Sequence, residues 1–155
     1  MILYLDTSSL LKVYVKEVHS DLVREWFKAA EAIAISRVGY AEAMSAFARR
    51  RAQGELDEDE FELVRETLSA HWSNFVLLPV RERKAGALAI KHFLRGFDAI
   101  HLAAASELPS AFRGEPVLFS SFDTRLLGAA RAEGFDTLHL SSRDGLVMES
   151  VVEYG

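Results

Sequence analysis

The sequence predicts an α/β protein, with a parallel sheet covered by helices on both faces. Three observations carry this reading. Five short apolar runs alternate with stretches of helical periodicity. The runs are continuously apolar, as strands are when both faces of a sheet are covered. Hydrophobic residues make up 50% of a 155-residue chain, enough for one core of ordinary domain size.

The elements follow in order. Ile2–Leu5 reads as a buried strand, and a helix follows from about Ser8 to Lys16 with Thr7 or Ser8 as its cap. A second helix spans about Ser20 to Ala30, and Ala32–Ile35 is the next strand. Helical spacing resumes from about Val38 to Gln53 and stops at Gly54. Asp57 caps a helix to about Ser73. These two helices are more than one crossover needs, which suggests a protruding hairpin. Phe75–Leu78 is the third strand, ended by Pro79; helices follow at about Arg81–Leu94 and Asp98–Glu107. The stretch Pro109–Pro116, with two prolines and a glycine, reads as a loop. Val117–Phe119 is the fourth strand, Thr124–Glu133 a helix and Thr137–Leu140 the fifth strand. The tail from Ser141 carries no clear assignment. There is no internal repeat, low-complexity segment or linker.

Composition narrows the function. The absence of cysteine excludes disulfides, thiolate metal sites and cysteine nucleophiles, and fits a reducing cytoplasm. No membrane span or signal peptide is legible. A net charge of −5 argues against coating nucleic acid through bulk positive charge. An enzyme acting on nucleic acid remains open, because local basic residues such as Arg49-Arg50-Arg51 can meet phosphates. That cluster also suits a helix end on dipole grounds alone.

Four acids sit where acids are least expected. Asp6 closes the first apolar run, and Asp123 follows the fourth. Glu42 is the sole charged residue between Arg37 and Arg49, and Asp98 opens an alanine-rich helix. Acids are rarely buried unless paired or bound to a cation. Each has an ordinary explanation as well. Asp98 and Asp123 suit plain N-caps, Asp6 could share the capping of its helix, and Glu42 could pair with a buried arginine. Val38, Ala41, Ser45 and Ala46 surround Glu42 at helical spacing, so a solvated face fits it poorly.

In an open parallel sheet, ligands bind beyond the carboxyl ends of the strands where strand order reverses. Asp6 and Asp123 share that crevice if the first and fourth strands are neighbours. Two carboxylates about 5 Å apart repel by roughly 3 kcal/mol at an effective dielectric of about 20. A converged set must therefore take up protons or bind a cation. All-oxygen ligation favours Mg²⁺ or Mn²⁺, and the chemistry that follows is phosphoryl transfer with an activated water attacking phosphorus.

Four segments then carry a family resemblance: Tyr4-Leu5-Asp6-Thr7-Ser8, Tyr40-Ala41-Glu42-Ala43, Gly96-Phe97-Asp98-Ala99-Ile100-His101-Leu102-Ala103, and Ser121-Phe122-Asp123-Thr124-Arg125-Leu126. In this order and at these separations, the chain resembles the PIN-domain nucleases, most closely the VapC-type toxins of toxin–antitoxin pairs. The resemblance covers nearly the whole chain and implies a single PIN domain over residues 1–155. It implies a three-layer α/β/α sandwich with a five-stranded parallel sheet of order 3-2-1-4-5. It further implies Mg²⁺- or Mn²⁺-dependent cleavage of single-stranded RNA, leaving a 3′-hydroxyl and a 5′-phosphate. Asp6, Glu42, Asp98 and Asp123 match the metal-site acids, with Asp6 and Asp98 as direct ligands and Glu42 and Asp123 binding directly or through water. Thr7 and Ser121 match supporting hydroxyls, Ser121 standing where threonine is more usual. The implied partners are a VapB-type antitoxin, whose C-terminal segment fills the groove near the acids, and a second copy of the chain in a homodimer. An arginine from that antitoxin could satisfy the carboxylates in place of metal.

Further candidates are weaker. His101, one turn beyond Asp98, could touch substrate, although packing in the core explains it as well. Arg125 and Arg49 could hold phosphate. Arg95, beside Gly96, is similarly ambiguous. His19, His71, His92 and His139 show no ligand spacing. Trp26, Phe27, Phe47 and Trp72 read as core or interface residues. A haloacid-dehalogenase-like phosphatase also has an Asp after its first strand, but it needs a second Asp where this chain has Ser8. A PIN-type domain that binds without cleaving would be expected to lose its acids, and all four are present.

Overall fold

A computed structural model describes residues 1–140 and 146–149. The strands are β1 (Ile2–Leu5), β2 (Ala32–Ser36), β3 (Val76–Leu78), β4 (Val117–Ser120), β5 (Asp136–Leu140) and β6 (Leu146–Glu149). The helices are α1 (Thr7–Tyr14), α2 (Ser20–Ala29), α3 (Val38–Ala52), α4 (Glu58–Trp72), α5 (Glu82–His92), α6 (Gly96–Ala105), α7 (Leu108–Ala111) and α8 (Thr124–Ala132).

The strands form one sheet in the order β3-β2-β1-β4-β5-β6. The first five are parallel and stand in the expected 3-2-1-4-5 order. β6 adds an antiparallel edge, pairing Leu140 with Leu146. It is absent from the expected elements because it arrives without a crossover helix. The apolar run Leu146-Val147-Met148 was the available signal. The rest of the tail, residues 141–145 and 150–155, lies outside the described residues.

Side chains alternate across the sheet, and this alternation builds two cores. Leu3 and Leu5 join Ile33, Ile35 and Leu118 under α1 to α4. Ile2 and Tyr4 join Ala34 and Phe119 under α5, α6 and α8. This division follows from topology. The chain steps outward from β1 to β3, then returns to β4 and steps the other way. Crossovers of one hand must then place their helices on opposite faces.

Several boundaries differ from expectation. Asp6 itself caps α1, accepting from the Ser9 amide, in place of Thr7 or Ser8. Its extended backbone comes straight off β1, so the acid reaches the cap position one residue earlier. Asp57 caps α4 as expected, with Glu60 completing a capping box. The α3–α4 hairpin does not stand clear of the fold. Phe47, Phe61, Val64 and Leu68 are buried in the same core as Leu3 and Leu5. The segment Pro109–Pro116 is not all loop, because Pro109 lies in the first turn of α7, where its missing N–H costs nothing.

Candidate active site

Leu5 pairs with Ser120 at the carboxyl ends of β1 and β4, where strand order reverses. Asp6 leaves one strand there, and Ser121, Phe122 and Asp123 leave the other. α3, which follows β2, brings Glu42, and the first turn of α6 brings Asp98. All four acids line one pocket of about 300 Å³, together with Thr7, Ser8, Arg95, His101 and Phe122.

Asp6 is buried, with 4% of its surface exposed. Its Oδ1 accepts from the Ser8 hydroxyl at 2.7 Å and the Ser9 amide at 2.9 Å. Its Oδ2 accepts from the Ser121 hydroxyl at 2.6 Å. Burial pushes its carboxyl above the ordinary value, against the pull of His101 and the bonds from Ser121, Ser8 and Ser9. Ser121 also accepts from the Asp123 amide at 3.0 Å, so one hydroxyl ties two of the acids together. Ser8, which occupies the place of the phosphatase's general acid, instead serves Asp6 and accepts from the Phe122 amide.

Glu42 is held by two neighbours. Thr7 donates its hydroxyl to Oε1 at 2.8 Å, and His101 Nε2 lies 2.8 Å from the same oxygen. Burial raises the Glu42 carboxyl, but the bond and charge of His101 and the bond from Thr7 outweigh it and leave the group below its ordinary value. Its buried partner is thus a histidine, not an arginine. The face around Glu42 is more open than the sequence suggests. Val38, Ala41, Ser45 and Ala46 line an adjoining groove of about 460 Å³, which shares Thr7 and Glu42 with the acid pocket. Gly39 lets α3 approach this closely, since a Cβ there would stand 2.6 Å from Ile35 Cδ1.

Asp123 caps α8 through Oδ1, which accepts from the Leu126 amide at 2.9 Å. Asp98 is not a cap. It is the third residue of α6, and the cap residue, Arg95, makes no side-chain capping bond. The Arg95 guanidinium instead spans the two acids, 3.0 Å from Asp98 Oδ2 through Nε and 3.2 Å from Asp123 Oδ2 through Nη2.

The weaker candidates separate clearly. His101 is 2% exposed, with Nδ1 2.7 Å from the Tyr4 hydroxyl and Nε2 on Glu42. Its geometry suits holding Glu42, not meeting substrate. Arg125 is absent from the pocket lining and donates to the Phe93 carbonyl. Arg49 lies on the adjoining groove and donates to Ser45. Its neighbours pair elsewhere, Arg50 with Glu17 and Arg51 with Glu58. Trp26, Phe27, Phe47 and Trp72 all pack in or against the core beneath α1 to α4.

The donor set suits a hard cation, being carboxylates and hydroxyls without sulfur. Among the described residues, however, no three acids or histidines already stand in metal-binding array. The reason is visible in the bonds above: each acid is engaged by an internal partner. The residues fit a divalent cation in kind and location, provided that Arg95 leaves Asp98 and Asp123.

Sheet order, switch-point crevice and acid-lined pocket define an α/β protein with a carboxylate site between β1 and β4. Residues 3–132 match the PIN domain model. The chain belongs to the PIN-domain family. It is 31% identical over 141 residues to Ribonuclease VapC47 of Mycobacterium tuberculosis (strain CDC 1551 / Oshkosh), covering 87% of this chain and 94% of that one. It is also 31% identical over 137 residues to Ribonuclease VapC49 of Mycobacterium tuberculosis (strain ATCC 25618 / H37Rv), covering 86% and 92%. The fold is similar to that of PAE2754 from Pyrobaculum aerophilum, with a TM-score of 0.60 at 18% identity over 84% of this chain and 81% of that one. It is similar too to a chain in the structure of FitAB bound to an IR36 DNA fragment, with a TM-score of 0.63 at 19% identity over 92% and 99%.

Proposed function

We propose that residues 1–155 form one PIN domain that acts as a divalent-metal-dependent endoribonuclease, the toxin of a toxin–antitoxin pair. The observation that carries this reading is the convergence of Asp6, Glu42, Asp98 and Asp123, from four separate places in the chain, on one pocket at the switch point. Relatives named as ribonucleases, aligned over most of both chains, support the substrate class.

Asp6 and Asp98 would hold Mg²⁺ or Mn²⁺ directly, and Glu42 and Asp123 directly or through water. When bound, the cation supplies Lewis acidity and neutralises charge on the phosphodiester. The chain's own residues set the geometry. Ser8, Ser9 and Ser121 fix the Asp6 carboxylate, and Thr7 and His101 fix Glu42. Glu42, held below its ordinary carboxyl value, stays ionised at neutral pH, as a ligand to the cation or to its water must.

The partners follow the same reading. The apolar groove beside Glu42 suits the C-terminal segment of a VapB-type antitoxin. Phe97 lines that groove, while Ile90 and Phe93 are large, apolar and exposed outside it and supply a surface for a second copy of the chain. No described helix is long and apolar enough to cross a membrane. We assign the protein to the cytoplasm, where its RNA substrate lies.

The test is cleavage of RNA by purified, antitoxin-free protein. Mg²⁺ or Mn²⁺ should support cleavage and a chelator should stop it. Loss of all activity in both metals, with fold retained, would leave the binding-only reading.

A further inference from the structure

Arg95 is the cationic side chain that bridges Asp98 and Asp123, and nothing in the proposed chemistry uses it. It precedes α6 in extended backbone, with φ −65° and ψ 153°. Its side chain is 77% exposed, whereas those of Asp98 and Asp123 are 17% and 32% exposed. The exposed group thus reaches back over the mouth of the pocket. It is anchored on Oδ2 of each acid, and such exposed ion pairs are weakened by solvent. Asp98 lies in α6 and Asp123 caps α8, so the guanidinium brings together two carboxylates that would otherwise repel.

We propose that Arg95 is a built-in counter-ion that competes with the divalent cation for Asp98 and Asp123 and so sets the metal affinity of the pocket. This rests on the reading of the four acids as metal ligands. A guanidinium hydrogen-bonded to both carboxylates occupies the same oxygens and carries the same sign of charge as the ion. Metal can enter only as Arg95 swings out. The exposure of the side chain and its lack of a capping role make that movement cheap. In the metal-free protein, Arg95 keeps the acids paired. In the loaded protein, it stands free at the pocket mouth.

The test is Mn²⁺ titration by calorimetry, independent of cleavage, on the full chain and on Arg95→Gln, Arg95→Lys and Arg83→Gln. Arg83 is exposed on α5 and absent from the acid pocket, so its variant controls for net charge. Arg95→Gln should tighten the Mn²⁺ dissociation constant about three- to tenfold, the range expected for removing one screened charge beside the ion. Arg95→Lys should stay near the parent, and Arg83→Gln should not differ from it. An Arg95→Gln variant with unchanged or weaker Mn²⁺ binding would overturn the proposal while leaving the metal site standing. Absence of Mn²⁺ binding in parent and variants alike would overturn the metal-site reading itself.

Discussion

His101 supports Glu42 from within the core, its Nε2 lying 2.8 Å from Glu42 Oε1 while Nδ1 meets the Tyr4 hydroxyl at 2.7 Å. Tyr4 is fully buried in β1, so a core strand residue acts through His101 on an acid of the pocket. Tyr4→Phe should leave Nδ1 without a partner and cost about 1–3 kcal/mol of stability, read by denaturant melts. His101→Gln should lower kcat more than it raises KM, because it loosens Glu42 without touching RNA.

Asp6 makes a pH-dependent prediction. Its carboxyl lies above its ordinary value of 3.8 in the folded protein because burial penalises the charge. A carboxyl raised on folding costs stability as pH climbs from the unfolded value through the folded one, and the cost is then constant. Asp6→Asn should therefore stabilise the metal-free protein at neutral pH by on the order of 1 kcal/mol, or ~2–4 °C in Tm. The gain should vanish at acid pH, where Asp6 is protonated. Thermal melts at neutral and acid pH check both parts.

Ser121 joins the Asp6 carboxylate to the Asp123 amide. Ser121→Ala breaks both links and should lower cleavage by about 10–100-fold, the usual cost of losing a group that orients a metal ligand. Ser121→Thr keeps the hydroxyl and should retain most of the activity. Equal losses in the two variants would show that size, not the hydroxyl, matters there.

The Asp57 capping box is no part of this pocket's lining. Asp57→Ala should destabilise the fold by about 1 kcal/mol through the lost cap and leave cleavage per folded molecule unchanged.

Most of the sheet was legible in the sequence because its strands are unbroken apolar runs with breakers between them. Period, burial and crossover rules then agree on one topology. The acids were legible individually as charges out of place. Their partners were not. Thr7 and Ser8 offer caps as good as Asp6 by residue type, and only the extended exit from β1 puts the acid first. Asp98 looked like a cap because it opens an apolar run, but Gly96 and Phe97 already lie within the helix. His101 pairs with Glu42 across 59 residues and Arg95 with Asp123 across 28. No local spacing rule sees such pairs, since they depend on which helix starts face one strand end. α7 and β6 escaped because a single helical turn and a four-residue edge strand carry too little periodicity to separate from loop.

The proposed function stands on the four acids forming one metal-dependent ribonuclease centre. The most direct measurement compares RNA cleavage by the parent protein and by Asp98→Asn, each freed of antitoxin and titrated with Mn²⁺. Asp98→Asn changes charge but little shape on an acid that caps no helix, so folding should survive. The parent should show Mn²⁺-dependent cleavage, and the variant should lose at least about a hundredfold with its fold intact. Cleavage by Asp98→Asn at the parent rate, or parent cleavage that persists in excess chelator, would contradict it.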